Sequence, residues 1–401
     1  MTAELVADVA VIGGGPAGSI AAACLAAAGL DTVLVDRPRP PVTRLQCIGR
    51  DAYRLLVELA GRRTVDDAVS VASSLCVRWA RADASAAPVE TQQLIVDREV
   101  LDPTLRAWAI RSGARFVGGS AARLRAVGAV GAAGDRYLLP VRTERADVQV
   151  IARAAVLAAG RAGALGTRRR LLAPRTIALV AEVALGPTAD RGVPADLCVE
   201  ALHDGWLWLA RDGDRLLVVA VTAPIAKADA PRQVANMLHE ASVLLGVERV
   251  PLDGHAVQVV DVTPSVSSMP PPARVHLVGD AAVFLDPLSG HGLSVAIRSA
   301  VQTVDALCHL GPDAARVEVV RDPLAVATEH HAMAQEYYRL GAQRFATPFW
   351  AARAGPITPG RSTREARRVA HVDADVVTDL GRQVEQAVGP TTDPVPFDLR
   401  A

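Results

Sequence analysis

The sequence feature that most constrains the fold is a glycine-rich turn close to the start of the chain. Residues 8–12 form an apolar run typical of a buried strand, and Gly13-Gly14-Gly15-Pro16-Ala17-Gly18 follows at once with the spacing Gly-x-Gly-x-x-Gly. Residues 19–28 then predict an alanine-rich helix, and residues 32–35 predict a second strand that ends at Asp36. This order is typical of a dinucleotide-binding unit rather than of a chance glycine-rich turn.

The residues of this turn have separate physical roles. Gly13 makes the tight turn, Gly15 lets the backbone approach a pyrophosphate, and Gly18 lets the helix pack closely on the strand. Asp36 lies where a ribose hydroxyl needs an acceptor, although an acid that only caps the strand end is the alternative. We therefore expect a dinucleotide to contact Gly13, Gly15, Pro16, Ala17, Gly18 and Asp36.

A second stretch with binding chemistry lies near residue 280. Residues 275–278 predict a short buried strand, residues 284–292 form a loop dense in turn residues, and apolar residues at helical spacing follow from Leu293. Unpaired N–H groups and the helix dipole converge at such a helix start, and Asp280 suits hydroxyl groups. The ribityl and pyrimidine parts of a flavin present this combination, but an ordinary strand–loop–helix turn is the alternative. The candidate flavin contacts are Gly279, Asp280, Pro287, Ser289, Gly290, Gly292 and Leu293.

Length and composition limit the classes of function. The 401 residues are 50% hydrophobic with a formal net charge of zero, which favours a large core in two interleaved units and gives no electrostatic case for nucleic acid or an anionic membrane. The longest apolar stretch, residues 20–30, is too short to span a bilayer, and no basic leader precedes the first strand, so we expect a cytoplasmic protein. The five scattered cysteines predict neither a disulfide framework nor a zinc site.

The remaining pattern predicts an α/β fold: a Rossmann-like FAD-binding domain with an inserted antiparallel β-sheet substrate domain and a helical C-terminal tail. Alternating runs at residues 178–185, 197–201, 207–210 and 215–221 indicate the inserted sheet, and residues 231–245 a helix. Residues 114–121 read as one strand, and residues 44–50 as a loop leading into a helical stretch to about Gly61. The expected domains are 1–67, 97–175 and 263–310 for the cofactor, 68–96 and 176–262 for the substrate, and 311–401 for the tail.

Two further residues are open to two interpretations each. Arg44 lies in the loop after the second strand, where it contacts the cofactor phosphates or the substrate, or is a solvated arginine. Gly160 ends the strand of residues 148–158 and either gives a second close approach to the cofactor or is an everyday strand end.

The order of the motifs resembles the FAD-dependent monooxygenases, tryptophan halogenases and related reductases. Within that group the chain is most similar to the flavoprotein maturases of quinone-cofactor oxidases, those of lysine and glycine oxidases and their amine-dehydrogenase counterpart. Local matches carry the resemblance over most of residues 5–353: Cys47-Ile48-Gly49-Arg50-Asp51, Gly205-Trp206-Leu207-Trp208, the loop 286–292, and Tyr337-Tyr338, Arg344 and Phe349-Trp350 in the tail.

The resemblance implies a flavoprotein monooxygenase. It implies that Arg98 opens a long helix and touches the cofactor, whereas by itself this residue is equally a surface charge. Halogenases of the group need a lysine near the substrate, and the only lysine here, Lys227, lies in a loop after the inserted sheet, which disfavours halogenation. Other departures are Arg50-Asp51 in place of Glu-Ser, His291 in place of Gln, and Leu209-Ala210 in place of Ile-Pro.

The expected activity is hydroxylation of an electron-rich aromatic, an indole-type small molecule or a peptidyl tryptophan, through a flavin hydroperoxide. FAD is the expected cofactor, with electrons from NAD(P)H or from a separate reductase as partner. The alternatives are a reductase or dehydrogenase of an apolar or prenyl-like substrate, and a flavin-binding partner subunit without turnover. His291 is the candidate proton donor or flavin contact, or a loop histidine satisfied by backbone. We expect Trp206 and Trp208 on opposite faces of their strand, one in a substrate pocket and the other in the core.

Overall fold

The computed structural model describes residues 3–37, 44–79, 89–127, 136–161, 169–184, 195–213, 215–241, 256–268, 271–313 and 322–355. In chain order the strands are β1 Ala3–Ile12, β2 Thr32–Asp36, β3 Leu45–Ile48, β4 Val69–Arg78, β5 Val89–Asp97, β6 Arg115–Gly118, β7 Ser120–Ala121, β8 Arg125–Val127, β9 Arg136–Arg142, β10 Asp147–Leu157, β11 Arg169–Leu171, β12 Ile177–Ala184, β13 Leu197–Leu202, β14 Gly205–Asp212, β15 Arg215–Thr222, β16 Gln258–Asp261, β17 Ser265–Ser267, β18 Val275–Leu277 and β19 Val283–Phe284. The helices are α1 Pro16–Ala27, α2 Arg50–Ala60, α3 Arg62–Val65, α4 Arg98–Arg111, α5 Ala230–Glu240, α6 Gly292–Leu310, α7 Pro323–Phe345 and α8 Pro348–Arg353.

The first sheet confirms the Rossmann-like domain. Its path is β6-β2-β1-β10-β9-β7, with β18 added to β10 and β8 to β9, and β1 runs parallel to both β2 and β10. Helices α1, α2, α4 and α6 cover one face, where apolar side chains of β1 and β10 meet α1 in one core cluster. Parallel strands need such helical crossovers, and their carboxyl ends then share one edge of the sheet.

That edge brings the three predicted glycine turns together. The amide of Gly13 donates to the Val35 carbonyl at 2.8 Å, and the amide of Ala158 donates to the Ile12 carbonyl at 2.8 Å. The amide of Val278 donates to the Leu157 carbonyl at 3.0 Å. Turns that are separated by more than a hundred residues in the sequence are therefore linked by backbone hydrogen bonds at one sheet edge.

The second sheet is the inserted one, with the order β16-β12-β15-β14-β13-β4-β5-β3. It is mainly antiparallel, as the alternating runs predict, but β13 pairs with β4 in parallel. The sequence predicts only a loop leading into a helix over residues 44–50, yet β3 forms the edge of this sheet against β5, with Leu45 and Ile48 buried. The chain thus enters the substrate sheet once before α2, within the span 1–67 predicted for the cofactor domain.

The single strand predicted over residues 114–121 is wrong. The segment is divided at Gly119, so that β6 pairs with β2 and β7 pairs with β9. A Cβ atom on Gly119 would lie 2.6 Å from the carbonyl oxygen of Arg142, which shows why the bend needs glycine.

Each face of the inserted sheet has its own cover. Helix α5 packs on one face through Val234 and Met237. Helices α7 and α8 pack on the other through Tyr338 and Trp350, and Leu288 of the loop before α6 joins them. The helical tail is confirmed by α7 and α8, while residues 314–321 and 356–401 lie outside the described part. Among the described helices none is both long and apolar enough to cross a membrane.

Candidate functional site

The first turn has the sterics that its glycines predict. Gly13 has a φ of +108°, and a Cβ there would lie 2.4 Å from the carbonyl oxygen of Ala158. A Cβ on Gly18 would lie 1.8 Å from the carbonyl oxygen of Gly13. The hydroxyl of Ser19 donates to the Gly14 carbonyl at 3.0 Å and holds the turn closed. The turn therefore depends on contacts that any larger residue would block.

Gly15 differs from its neighbours because a Cβ there would meet nothing within 4 Å. It is the N-cap of α1, no side chain caps that helix, and the first turn contains no acidic residue. Pro16, which has no N–H, takes the first position of α1, and the uncapped N–H groups of Ala17 and Gly18 follow it beside this open space. Such a helix end favours an anion, and the space fits a pyrophosphate.

Asp36 lies at the end of β2, as predicted, and its side chain is 18% exposed. Its carboxylate is 3.3 Å from a guanidinium nitrogen of Arg106 on α4, and its side chain lies beside Gly14. Arg106 is a residue that sequence reasoning missed, because nothing local to α4 indicates that it faces β2. It holds the acid beside the turn and leaves further lone pairs for a ribose.

Asp36→Ala and Asp280→Ala are each expected to weaken FAD binding by about 1.5–3 kcal/mol, because each leaves a cofactor hydroxyl without its charged acceptor. Titration of the apoprotein with FAD measures the effect, and Asp31→Ala, just before the far end of β2, is the control. Unchanged affinity in a folded variant would remove that acid from the site.

The second stretch meets the first at Gly279. This residue has a φ of +56°, and a Cβ there would lie 3.3 Å from the Cβ atoms of both Ala17 on α1 and Ala296 on α6. Its amide donates to the hydroxyl of Ser299 at 2.9 Å. The starts of α1 and α6 therefore approach the same point, where the two predicted binding regions become one.

Asp280 follows at that point, with positive charge around it. Burial raises the pKa of this carboxyl, while the charges of Arg98, Arg169 and Arg161 lower it in that order. Arg98 donates to Asp102 at 2.6 Å and to Gln46 at 2.9 Å, so it connects α4 to β3 beside the site. The structure thus places Arg98 near Asp280, in the region predicted to bind the cofactor. A contact between Arg98 and the cofactor stays a prediction.

The other arginines are placed as follows. Arg44 lies 3.2 Å from Asp97 at the end of β5, so it is not a free solvated charge. Arg161 directly follows Gly160, bonds Asp261 at 2.9 Å and lies over the ring of Phe284. Gly160 itself has a φ of +67°, and a Cβ there would meet no described atom within 4 Å, which leaves room for a close approach.

The loop before α6 is built from tight turns. Residues 287–289 form a 3-10 turn that Asp286 caps through the Leu288 amide at 3.0 Å, and Gly290 has a φ of +67°. Ser289 and Leu293 are buried, and Gly292 begins α6 with open space beside it. No side chain caps α6 and its first turn contains no acid. This second uncapped helix start suits the pyrimidine end of a flavin.

His291 forms the N-cap position of α6, and its Nδ1 bonds the carbonyl oxygen of Ser289. Because a carbonyl only accepts, Nδ1 carries the hydrogen and Nε2 holds a lone pair in the neutral ring. The ring of His330 on α7 lies beside it, with 4.8 Å between centroids. Nothing in the sequence indicates that His330 lies beside His291.

The two tryptophans of β14 do not point to opposite faces, so that prediction is wrong. Residues two apart in a strand share a face, and both side chains pack with the cluster that faces α7 and Leu288. Trp206 is only 3% exposed and contacts Trp79, which makes it a core residue. Trp208 is half-buried, and it lowers the pKa of the Cys47 thiol, which burial raises to about 12. Of the two tryptophans, Trp208 is therefore the candidate for the substrate pocket.

The residues fit FAD as a group. Open space beside Gly15, Gly160 and Gly292 matches the places where a cofactor backbone passes, and the two uncapped helix starts match its pyrophosphate and pyrimidine. Asp36 and Asp280 are the residues that would accept hydrogen bonds from cofactor hydroxyls, one at each end.

Comparisons with known proteins agree with this geometry. Residues 6–50 match the family model of the FAD binding domain. The chain is 27% identical over 308 residues to digeranylgeranylglycerophospholipid reductase 1 of Methanopyrus kandleri, covering 72% of this chain and 77% of that protein. Its fold is similar to the peptidyl tryptophan dihydroxylase QhpG, essential for tryptophylquinone cofactor biogenesis, with a TM-score of 0.71, 23% identity, and 88% and 80% of the two chains covered. It is also similar to the flavin-dependent halogenase CmlS, with a TM-score of 0.66, 22% identity, and 92% and 70% covered. The chain therefore has the FAD-binding fold of the flavin-dependent monooxygenases and halogenases.

Proposed function

We propose that the chain binds FAD without a covalent link and uses reduced flavin and oxygen to hydroxylate an electron-rich aromatic of indole type, free or as a peptidyl tryptophan. The electrons come from NAD(P)H or from a separate flavin reductase. The observation that carries the proposal is the position of the loop before α6, whose Leu288 packs in the same cluster as the aromatic face of the inserted sheet.

That face has a partly exposed aromatic rim. Trp208, Tyr337 and Phe284 are half-buried side chains packed against the cluster that contains Leu288. Aromatic side chains give large apolar contact area with specific ring geometry, which suits a flat aromatic ligand. The likeness in fold to a peptidyl tryptophan dihydroxylase supports the same substrate class.

Bound FAD would supply the redox chemistry, and the residues of the chain supply binding, charge and exclusion of water. The N–H groups at the start of α6 would stabilise negative charge on a bound flavin without needing a side-chain base. Trp208 and Tyr337 would cover an aromatic ligand at this rim from solvent. His291 donates through Nδ1 to the Ser289 carbonyl at the start of α6, where its ring would hydrogen-bond the flavin or donate a proton near it.

Halogenation is disfavoured by the position of Lys227. A lysine relay must lie between flavin and substrate, but Lys227 is exposed in a 3-10 turn directly before α5. Its neighbours Ile225 and Ala230 pack in the cluster on the α5 face of the sheet, whereas Leu288 packs on the opposite face. The sheet thus separates the lysine from the loop before α6.

The second candidate is a reductase of a prenyl-like substrate, favoured by the 27% identity to the lipid reductase of Methanopyrus kandleri. The two activities leave different products: a hydroxylase adds oxygen from O₂, and a reductase saturates a carbon–carbon double bond without oxygen. A flavin-binding partner subunit would produce neither.

The expected result is that wild type and Lys227→Ala give the same oxygenated product and no halogenated one. Purified protein is incubated with reduced FAD, ¹⁸O₂, excess bromide and an indole or a tryptophan-containing peptide, and products are measured by mass. The physical reason is that Lys227 lies on the α5 side of the inserted sheet, whereas the loop before α6 packs on the opposite side. A halogenated product that disappears in Lys227→Ala would overturn the account. In a parallel anaerobic incubation with reduced FAD and a prenyl alcohol, a hydrogenated product would select the reductase.

A further inference from the structure

The loop before α6 is held from a distance by one tyrosine of the helical tail. Tyr338 on α7 is 1% exposed, and its hydroxyl donates to both carboxylate oxygens of Asp286, at 3.2 and 3.1 Å. Asp286 is 5% exposed and also accepts the Leu288 amide at 3.0 Å. One buried carboxylate therefore connects the inside of the loop to a helix that begins more than thirty residues later.

The helix that carries Tyr338, α7, is followed by α8, which is fixed to the inserted sheet. The indole N–H of Trp350 donates to the Leu202 carbonyl at 2.9 Å, and the Thr347 hydroxyl donates to the His203 carbonyl at 2.9 Å. Rings of Tyr338 and Trp350 lie 5.9 Å apart. The tyrosine hydroxyl is thus held by a packed aromatic cluster, which gives the loop a rigid support.

The charged groups around Asp286 come from both tail helices. Arg353 on α8 is 4% exposed, donates to Thr176 and to the carbonyls of Phe349 and Arg175, and its charge lowers the pKa of Asp286. His331 on α7 lines a small cavity with Asp286 and with Leu172, Pro264, Phe284, Leu285 and Ala327. In the described part of the chain, the titratable and charged side chains around Asp286 are therefore Tyr338, His331 and Arg353.

The protonation state of Asp286 determines how many hydrogen bonds its carboxyl group can accept. Burial raises the pKa of Asp286 to about 6, while the Leu288 amide, the Tyr338 hydroxyl and Arg353 lower it. Burial also raises the pKa of Tyr338 well above its ordinary value, so the phenol remains a donor. The ionised carboxylate accepts both N–H and O–H, whereas a protonated carboxyl loses part of that accepting capacity.

We propose that Tyr338 is a positioning residue for FAD, whose hydroxyl holds Asp286 and thereby keeps residues 286–292 in the conformation that receives the flavin. The inference rests on the proposed binding of FAD at this loop. It assigns to the helical tail a part in cofactor affinity, although no tail residue needs to touch FAD.

The test is Tyr338→Phe, which removes only the hydroxyl. The Kd of FAD for the apoprotein is expected to rise about tenfold at pH 7.5, because a buried carboxylate loses a charge-assisted hydrogen bond. The matched control is Tyr53→Phe, which removes the hydroxyl by which Tyr53 of α2 donates to Asp66 at 2.7 Å in an exposed hydrogen bond. That variant is expected to bind FAD as wild type does.

A pH series separates positioning from mere stability. Wild type is expected to bind FAD more weakly as the pH falls through about 6, since Asp286 takes up a proton there. In Tyr338→Phe the weakening begins at a higher pH, because the lost hydrogen bond had favoured the ionised carboxyl. Asp286→Asn keeps the shape and is expected to bind weakly with no such pH dependence.

The outcomes are distinct. Equal Kd values and equal pH dependence in wild type and Tyr338→Phe would overturn the inference while leaving FAD binding intact. Failure of wild type to bind FAD at any pH would instead overturn the proposed function. Circular dichroism of each apoprotein shows whether a variant is folded, and Asp286→Asn serves as the second variant if Tyr338→Phe does not fold.

Discussion

Gly18→Ala is expected to lower the free energy of unfolding by about 3 kcal/mol and to abolish FAD binding, because the added methyl group cannot be accommodated. Its Cβ would lie 1.8 Å from the Gly13 carbonyl oxygen and 2.9 Å from the Cβ of Ala158. Both contacts are with the packed strands at the sheet edge, so relief requires α1 to move away from β1. Urea unfolding of the apoprotein measures the loss.

Gly15→Ala is the matched control within the same turn. A Cβ there meets no protein atom within 4 Å, and Gly15 has a φ of −72°, which alanine adopts readily. This variant is expected to unfold at the wild-type urea concentration but to bind FAD at least about tenfold more weakly, since the methyl group enters the pyrophosphate space. Normal FAD affinity in Gly15→Ala would remove the pyrophosphate from this turn.

The free energy of unfolding is expected to depend on His276 between pH 6.5 and pH 4. This residue lies in β18, is 7% exposed, and its Nε2 is buried without a hydrogen-bond partner in the described part of the chain. Burial lowers its pKa from 6.5 to about 4. The contribution of the neutral His276 ring to the free energy of unfolding is therefore fully present above pH 6.5. As the pH falls, the unfolded chain binds a proton that the folded protein does not. The loss reaches about 3 kcal/mol near pH 4.

The measurement compares wild type with His276→Leu at each pH, because Asp286 acts in the opposite direction. The pKa of that carboxyl is raised to about 6, so its contribution is present below its ordinary value of 3.8 and is lost as the pH rises through 6. The difference in free energy of unfolding between His276→Leu and wild type is free of the contribution of Asp286, because both proteins contain that carboxyl. The same holds for the other titratable groups that the two proteins share. We expect the variant to gain about 3 kcal/mol relative to wild type between pH 7 and pH 4.

A variant that removes no titratable group provides the control for that series. Leu277→Ala lies in the same strand as His276, and the difference in free energy of unfolding between it and wild type is expected to stay constant with pH. A constant gap for His276→Leu as well would show that burial of His276 does not govern the acid stability of the fold.

Much of the cofactor region could be predicted from the sequence, for a local physical reason. Gly13, Gly15 and Gly18 lie within six residues, and their steric demands are set by the turn that they form together. Gly279 and Gly290 likewise need positive φ values, which few other residues adopt. The helix α6 and the strands of the inserted sheet followed from apolar periodicity, which depends on neighbours in the chain.

Pairings across the chain could not be predicted in this way. Arg106 faces Asp36 from a different element, and Tyr338 faces Asp286 from a helix beyond the inserted sheet. Neither pair is marked in the sequence, because a polar residue on a helix has the same local pattern whether it faces solvent or a buried carboxylate. The sequence likewise predicts a loop at β3, since a four-residue edge strand gains its stability from β5 rather than from its own composition.

The sequence by itself thus determined the nucleotide turn, the loop before α6 and the alternation of the inserted sheet, all of which depend on backbone sterics and on side chains a few residues apart. Only the tertiary structure decided that Trp206 is buried against Trp79, that Lys227 lies across the sheet from Leu288, and that the tail supports the loop. These depend on which surfaces bury apolar area against each other, a free energy that belongs to the packed chain and to no single segment of it.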